Sequence, residues 1–201
     1  MAATVRGVLR AVARNAADLR LLPPRVALFH ARAWLTAWRT KDEFSLASRS
    51  RPEDVAALLA LARGHDHVVE LGTGTAWTAI ALALDDDRRR VTSYDPVARE
   101  ERGRYLALVP AAVRARIELR PEPAQDLRPQ PASAGLVFID CAHDRETTTA
   151  AFRAWQAAVV PGGSVAFHDY DHPHYPGVRE AVDGLGLPGR PVAGMFVWRS
   201  G

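Results

Sequence analysis

The sequence predicts an α/β protein built on a doubly wound, mostly parallel sheet of about seven strands, the last antiparallel, with helices on both faces and a helical extension at the N-terminus. Three observations predict it. Apolar stretches of strand length alternate with stretches of helical periodicity from residue 51 onward. The clearest of them, Gly135-Leu136-Val137-Phe138-Ile139, is apolar throughout rather than alternating, as a strand covered on both faces requires. Finally, Val68-Val69-Glu70-Leu71 runs into Gly72-Thr73-Gly74, the order expected where a buried parallel strand hands over to a helix and the backbone passes close to a ligand.

Taken in order, Val5, Val8, Leu9, Val12, Ala16 and Leu19 recur at helical spacing with Arg6, Arg10 and Arg14 on another side, which predicts an amphipathic helix. Pro23-Pro24 breaks it, and a second helix follows over about Arg25 to Arg39 with Val26, Phe29, Ala33, Trp34 and Trp38. The pair reads as a hairpin packed on the main domain or on a second subunit, with a homodimer through these helices as the expected assembly. Residues 1–50 are accordingly an extension or cap, and residues 51–201 the main domain. Thr40 to Ser50 lacks periodicity and reads as a loop. A helix then starts at Pro52, with Glu53 and Asp54 beside its positive end, and Gly64 stops it.

After the glycines, Ala76 to Leu84 is an almost wholly apolar helix, and Asp85-Asp86-Asp87-Arg88-Arg89-Arg90 reads as a solvated turn. Val91 to Tyr94 is a second strand, and Val97 to Leu108 a helix, with a further turn over Pro110 to Arg116. Ile117 to Leu119 is a third strand, and the proline-rich loop 121–131 surrounds Ala124-Gln125-Asp126. A helix over Glu146 to Val160 follows the fourth strand, and Pro161-Gly162-Gly163 is expected to end it before a fifth strand, Ser164 to Phe167. Val178 to Leu185 is a short helix, and the tail closes with strands at Pro191–Ala193 and Met195–Trp198. Trp155 and Trp198 read as core, and Trp77 packs on the first helix or walls a ligand site.

Composition bounds the rest. At 201 residues, 48% apolar and with mean hydropathy −0.13, the chain is large enough for a self-sufficient core and has no apolar run approaching the ~18 residues of a membrane span. Neither an apolar leader nor a cleavage site is evident, so the cytoplasm is the expected location. The single cysteine, Cys141, agrees with a reducing compartment and excludes a multi-cysteine metal site within one chain. The net charge of +3 and pI of about 9.5 rest almost wholly on arginine, Lys41 being the sole lysine. No basic patch is interleaved with aromatics, so nucleic acid is not the expected partner.

In a doubly wound sheet, ligands bind beyond the carboxyl ends of the strands. Four apolar strands end there in a charged or titratable group: Glu70, Asp95, Asp140 and the pair His168-Asp169. A dinucleotide fingerprint would place a third glycine where Trp77 stands, which weakens a nicotinamide-dependent oxidoreductase as the alternative function. An RNA-modifying enzyme is a further alternative, resting on pI alone. The pattern acid-x-Gly-x-Gly-x-Gly is met by Glu70, Gly72 and Gly74, with Ala76 in the last place.

That pattern resembles the first motif of the class I S-adenosylmethionine-dependent methyltransferases. Phe138-Ile139-Asp140-Cys141-Ala142-His143-Asp144-Arg145-Glu146, then Pro161-Gly162-Gly163, His168-Asp169-Tyr170 and Pro176-Gly177-Val178 are similar, in that order, to the subfamily pattern FIDGDHSYE…PGG…HDY…PGV, found among small-molecule O-methyltransferases. The resemblance spans about Phe44 to Arg199. It implies a Rossmann-like domain that transfers the sulfonium methyl of S-adenosylmethionine to an oxygen of a small molecule. It places the methionine end of the cofactor against Gly72, Thr73 and Gly74 with Glu70 in support, the ribose at Asp95, the adenine near Ala124, Gln125 or Asp126, and the reacting centre by Asp140 and His143. The chain departs from the pattern at Cys141-Ala142 and at Asp144-Arg145.

Some relatives of this type use magnesium or another divalent metal held by strand-end acids. Here Asp140, His168 and Asp169 are the candidate ligands, and a set of one imidazole and two carboxylates suits a transition metal better than magnesium. Metal-free catalysis is the other reading, with His143 or His168 as general base. His172 and His174 read as loop residues over the acceptor pocket.

Overall fold

The computed structural model describes residues 18–201. The amphipathic stretch expected over 5–19 therefore lies outside the described residues, apart from its last two positions. The helices are α1 (Pro24–Thr40), α2 (Glu43–Ser48), α3 (Pro52–Leu61), α4 (Trp77–Asp85), α5 (Glu101–Leu106), α6 (Ala111–Arg114), α7 (Arg145–Trp155) and α8 (Pro176–Leu185). The strands are β1 (His67–Leu71), β2 (Arg90–Tyr94), β3 (Ile117–Arg120), β4 (Ala134–Ile139), β5 (Val159–Phe167), β6 (Gly189–Val192) and β7 (Met195–Arg199). They form one sheet in the order β3-β2-β1-β4-β5-β7-β6. β1 to β5 are mutually parallel, and β7 runs antiparallel to both β5 and β6. This is the doubly wound, Rossmann-like sheet expected, its strand order reversing between β1 and β4.

Strand parity divides the core. Val68, Leu136, Phe138 and Ala166 face the layer of α1, α3 and α4, with Val26, Phe29, Ala33, Leu58 and Ile80. Val69, Leu71, Val137, Ile139, Val165 and Phe167 face α7 and α8, with Phe152, Trp155, Val178 and Val182. Both faces are dry, which is why the central strands carry apolar side chains at nearly every position. Trp155 lies in this core, 2% exposed, and Trp198 is half-buried against it.

Five differences from the expected elements have physical reasons. Thr40 to Ser50 is not all loop: Asp42 caps α2, its carboxylate accepting the Ser45 amide at 3.0 Å, and a helix of six residues is too short to show a period. The helix expected from Val97 begins only at Glu101, because the Val97 amide donates to Asp95 Oδ1 at 2.8 Å and holds a turn. Helix α7 ends at Trp155, a single 3₁₀ turn covers Gln156–Ala158, and the Pro161-Gly162-Gly163 motif lies inside β5. A Cβ on Gly163 would sit 2.7 Å from the Gly135 carbonyl oxygen, so this glycine lets β5 pass close to β4.

The charge block at 85–90 is not wholly solvated. Arg89 is 1% exposed and donates to the carbonyls of Leu82 and Ala62, both at 3.0 Å, tying the ends of α3 and α4 together. Lastly, Ala76 adopts φ 68° at the start of α4, filling with alanine a left-handed position that favours glycine.

Candidate active site

Strand register builds the site. Leu71 pairs with both Tyr94 and Ile139, and Ile139 pairs with Phe167. The next residue of each strand, Gly72, Asp95, Asp140 and His168, therefore emerges on one edge of the sheet, at the switch point. A cavity of 510 Å³ opens there. It is lined by Glu70, Gly72, Thr73, Gly74, Asp95, Ala124, Gln125, Asp140 and His143, so every candidate cofactor residue except Asp126 meets it. Trp77 takes one of its two expected roles, lining the cavity. It also packs edge-on to Phe29 and His30 of α1, the second of the predicted helices, the first lying outside the described residues apart from its last two positions. A larger groove of 720 Å³ runs between α7 and α8, but of the candidate residues it touches only Gln125.

The glycine loop is braced from below and from the side. Glu70, 1% exposed, accepts a short hydrogen bond from Ser93 Oγ, and Ser93 bonds Thr73 Oγ1 at 2.7 Å. Burial pushes the Glu70 carboxyl up to about 8, with the charges of Asp140 and Asp95 adding to the shift, so it is a neutral acid at pH 7. Asp95 Oδ2 accepts the Gly74 amide at 3.0 Å and Arg102 at 2.6 Å, while Oδ1 accepts the Val97 amide. Arg102 also donates to the Gly74 carbonyl at 2.9 Å. One lone-pair position on Oδ1 is left for a ligand hydroxyl. Sequence reasoning missed Arg102; in a chain with 26 basic residues it carries no distinguishing signal.

Beyond β4 and β5 the candidate catalytic and metal residues converge. His168 Nδ1 lies 2.9 Å from Asp140 Oδ1 and 3.5 Å from Asp169 Oδ2, and His143 Nε2 lies 3.1 and 3.3 Å from the same two oxygens. These four donor atoms all lie within 4.8 Å of one another. Two imidazole nitrogens facing two carboxylate oxygens fit a divalent transition metal, and His143 completes the expected set of Asp140, His168 and Asp169. Burial opposes charge on both Asp140 and His168. Their mutual attraction and hydrogen bonds nevertheless hold the carboxyl well below its ordinary range and the imidazole well above.

The two histidines are not equivalent. His143 lines the cavity, in left-handed backbone at φ 59°, its ring stacked on Tyr175 at 4.4 Å. His168 sits behind Asp140 and is 8% exposed. Its Nε2 lies 3.4 Å from Asp54 Oδ2, on α3. Asp54 is fully buried and also accepts the Gly194 amide at 2.7 Å, whereas in the sequence it is only an acid beside a helix end. The Pro176-Gly177-Val178 motif has its reason here as well. A Cβ on Gly177 would lie 2.8 Å from the His143 carbonyl oxygen and 2.7 Å from the Arg145 nitrogen, so the glycine lets α8 dock on the His143 loop.

Solved structures share this architecture. The O-methyltransferase TomG from Streptomyces achromogenes, in complex with SAM and involved in tomaymycin synthesis, aligns with TM-score 0.58 and 23% identity over 84% of this chain and 90% of its own. Cofactor-bound Rv0187 from MTB aligns with TM-score 0.61 and 22% identity over 79% of each chain. The apo TDP-rhamnose 3'-O-methyltransferase CalS11, an enzyme of calicheamicin biosynthesis, aligns with TM-score 0.57 and 19% identity, over 74% of this chain and 79% of its own. At these identities the likeness is one of fold. No curated protein sequence matches the chain. A family model described as a methyltransferase domain matches residues 69–170, the segment that runs from the glycine loop through Asp140 and His143 to His168 and Tyr170. By that match, over half of its length and across the site itself, the chain belongs to the methyltransferase domain family.

Proposed function

We propose that the protein transfers the methyl group of S-adenosylmethionine to a hydroxyl of a small molecule, within the subfamily marked by the FIDxxH…PGG…HDY pattern. The observation that carries this reading is the register that brings Gly72, Asp95, Asp140 and His168 to one edge of the sheet, where a single cavity opens. The methionine end of the cofactor lies on Gly72, Thr73 and Gly74 above Glu70, with its ribose at Asp95 and its adenine by Ala124 and Gln125. TomG, which holds SAM on the same fold, supports the choice of cofactor.

Transfer of a sulfonium methyl to a hydroxyl makes a carbon–oxygen bond, breaks a carbon–sulfur bond and releases the hydroxyl proton. His143, which faces the cavity, takes that proton as general base. Asp140 and Asp169 stabilise the resulting imidazolium, and the Tyr175 ring holds the imidazole in plane. In the alternative, metal-assisted reading, Asp140, His143, His168 and Asp169 would hold a divalent metal that would supply Lewis acidity to lower the pKa of an acceptor hydroxyl, and His143 would then be a ligand and not the base. His168, shielded behind Asp140, serves as a ligand rather than as the base.

Residues 1–50 act as a cap on a catalytic unit of residues 51–201. In support, Ser45 Oγ meets Thr75 Oγ1 and Ser50 Oγ meets Thr78 Oγ1, both at 3.1 Å, linking the cap to the glycine loop and to α4. Self-association through α1, which exposes Leu28, Leu35 and Trp38, is the assembly this reading favours, and sedimentation checks it. Among the described residues no helix is long and apolar enough to cross a membrane. The single cysteine supports a cytoplasmic setting.

The reading is tested by incubating the protein with methyl-labelled S-adenosylmethionine and a panel of hydroxylated small molecules. Label on an acceptor oxygen, lost in His143→Ala, is the expected result. Label delivered to nitrogen or carbon, or transfer undiminished in His143→Ala, contradicts it.

A further inference from the structure

We propose that Asp54 is the positioning residue for His168: it holds the ring with Nε2–H turned toward α3, so that Nδ1 offers its lone pair to a divalent cation shared with Asp140, His143 and Asp169. The inference rests on the divalent-cation part of the proposed function.

Asp54 and His168 are 114 residues apart in sequence. Asp54 is fully buried in the first turn of α3, and its carboxylate is clamped from several sides. Oδ1 accepts the Gly194 amide at 2.7 Å and Arg51 Nη2 at 3.3 Å; Oδ2 accepts Arg51 Nε at 3.0 Å and faces His168 Nε2 at 3.4 Å. Among the described residues, Asp54 supplies the acceptor at Nε2, and the far side of the same ring presents Nδ1 to Asp140 and Asp169. Both ring nitrogens face carboxylates, Nδ1 at 2.9 Å from Asp140 and Nε2 at 3.4 Å from Asp54. A neutral imidazole has one N–H and one lone pair, so a cation taken at Nδ1 leaves the proton on Nε2, where Asp54 accepts it. A carboxylate that does not itself bind metal but holds the distal N–H of a ligating histidine fixes both the tautomer and the plane of the ring.

An acid in the first turn of a helix would also favour the helix dipole, and the Arg51–Asp54 pair fastens α3 to Gly194. Neither of those roles needs a histidine against the carboxylate. The two readings separate in an Asp54→Asn variant. With Oδ1 of the asparagine still accepting from Gly194, its NH₂ group faces Nε2 and draws the lone pair there, leaving Nδ1 protonated.

The test is titration of the purified full-length protein with Mn²⁺, unbound Mn²⁺ being read by electron paramagnetic resonance, for the wild type, Asp54→Asn, His168→Gln and the double variant. The expected result is a saturable site in the wild type, weakened roughly 10- to 100-fold by Asp54→Asn, with the double variant no weaker than His168→Gln alone. An Asp54→Asn variant that binds as the wild type does, a double variant that adds the full Asp54 loss to the His168 loss, or a wild type that binds no Mn²⁺ overturns the proposal. Should Asp54→Asn not fold, the ¹⁵N ring shifts of wild-type His168 with Zn²⁺ bound decide the question. A proton on Nε2 and metal on Nδ1 supports the assignment, and a proton on Nδ1 overturns it. S-adenosylmethionine does not enter these measurements, so their failure leaves the methyl-transfer reading to its own test.

Discussion

Gly72 lies so close beneath Asp140 that a Cβ built on it would stand 1.9 Å from the Asp140 carbonyl oxygen. The strand that carries the cofactor loop and the strand that carries the reacting centre thus touch through a position only hydrogen can fill.

This contact separates two glycines that a motif treats alike. Gly72→Ala forces β1 and β4 apart and is expected to cost about 3 kcal/mol, lowering the melting temperature by roughly 10 °C. Gly74 has φ 49°, and a Cβ placed on it would meet nothing within 4 Å, so it faces the cavity rather than another strand. Gly74→Ala is expected to cost only about 1 kcal/mol of stability and to weaken S-adenosylmethionine binding by roughly tenfold or more. Calorimetric unfolding and titration of both variants check this, and equal melting temperatures for the two would contradict it.

Glu70 predicts a pH dependence. Its folded carboxyl titrates near 8 against an ordinary 4.5, so between those values the native state holds a proton that the unfolded chain has lost. The stability Glu70 contributes is complete below 4.5 and falls as pH rises to about 8. Glu70→Gln cannot ionise. Its stability relative to the wild type should therefore climb between about pH 5 and pH 8, with a limiting slope of about 1.4 kcal/mol per pH unit. Urea unfolding at the two pH values measures the gap, and a gap that stays constant refutes the assignment.

His30 predicts the opposite slope. Burial, and then the charge of Arg49, depress its imidazole to about 4, and among the described residues its Nε2 lies buried against Trp77 without a hydrogen-bond partner. The neutral ring in the native state means that wild-type stability is lost as pH falls from 6.5 toward 4. His30→Leu removes that loss and should gain on the wild type at about pH 4.5 relative to about pH 7.5. Thermal unfolding at both values reads it.

The Tyr175 ring stacked on His143 predicts a split between binding and turnover. Tyr175→Leu frees the imidazole without touching the glycine loop. It should lower kcat about tenfold while leaving S-adenosylmethionine affinity within about twofold of the wild type. A loss of affinity equal to the loss of turnover would place Tyr175 in cofactor binding instead.

The parts of this molecule that are legible in the sequence are those whose signal is local. Buried parallel strands announce themselves as apolar runs, and each run ends where it meets water, so Asp95, Asp140 and His168 can be placed at strand ends and Gly72 at a turn. What is not legible depends on approach across the fold. Asp54 looks like any acid at a helix start until β5 and the turn at Gly194 close over it. Arg102 and Arg89 are two arginines in an arginine-rich chain until one meets Asp95 and the other meets the carbonyls of two helix ends. In the sequence, the glycines of Pro161-Gly162-Gly163 and Pro176-Gly177-Val178 are only motif letters. Their reason, backbone passing close to β4 and to the His143 loop, exists only once the strands and helices are assembled. The resemblance put His143 at the reacting centre, but its place in the cluster with Asp169 follows from a left-handed turn at φ 59° that no local pattern announces.

The central claim is that the strand-end cavity is a site for S-adenosylmethionine, and isothermal titration of the wild type and of Asp95→Ala with S-adenosylmethionine and S-adenosylhomocysteine tests it most directly. The account predicts saturable one-to-one binding of both by the wild type and a loss of roughly tenfold or more in Asp95→Ala. No binding by the wild type, or equal affinity in the variant, would contradict it.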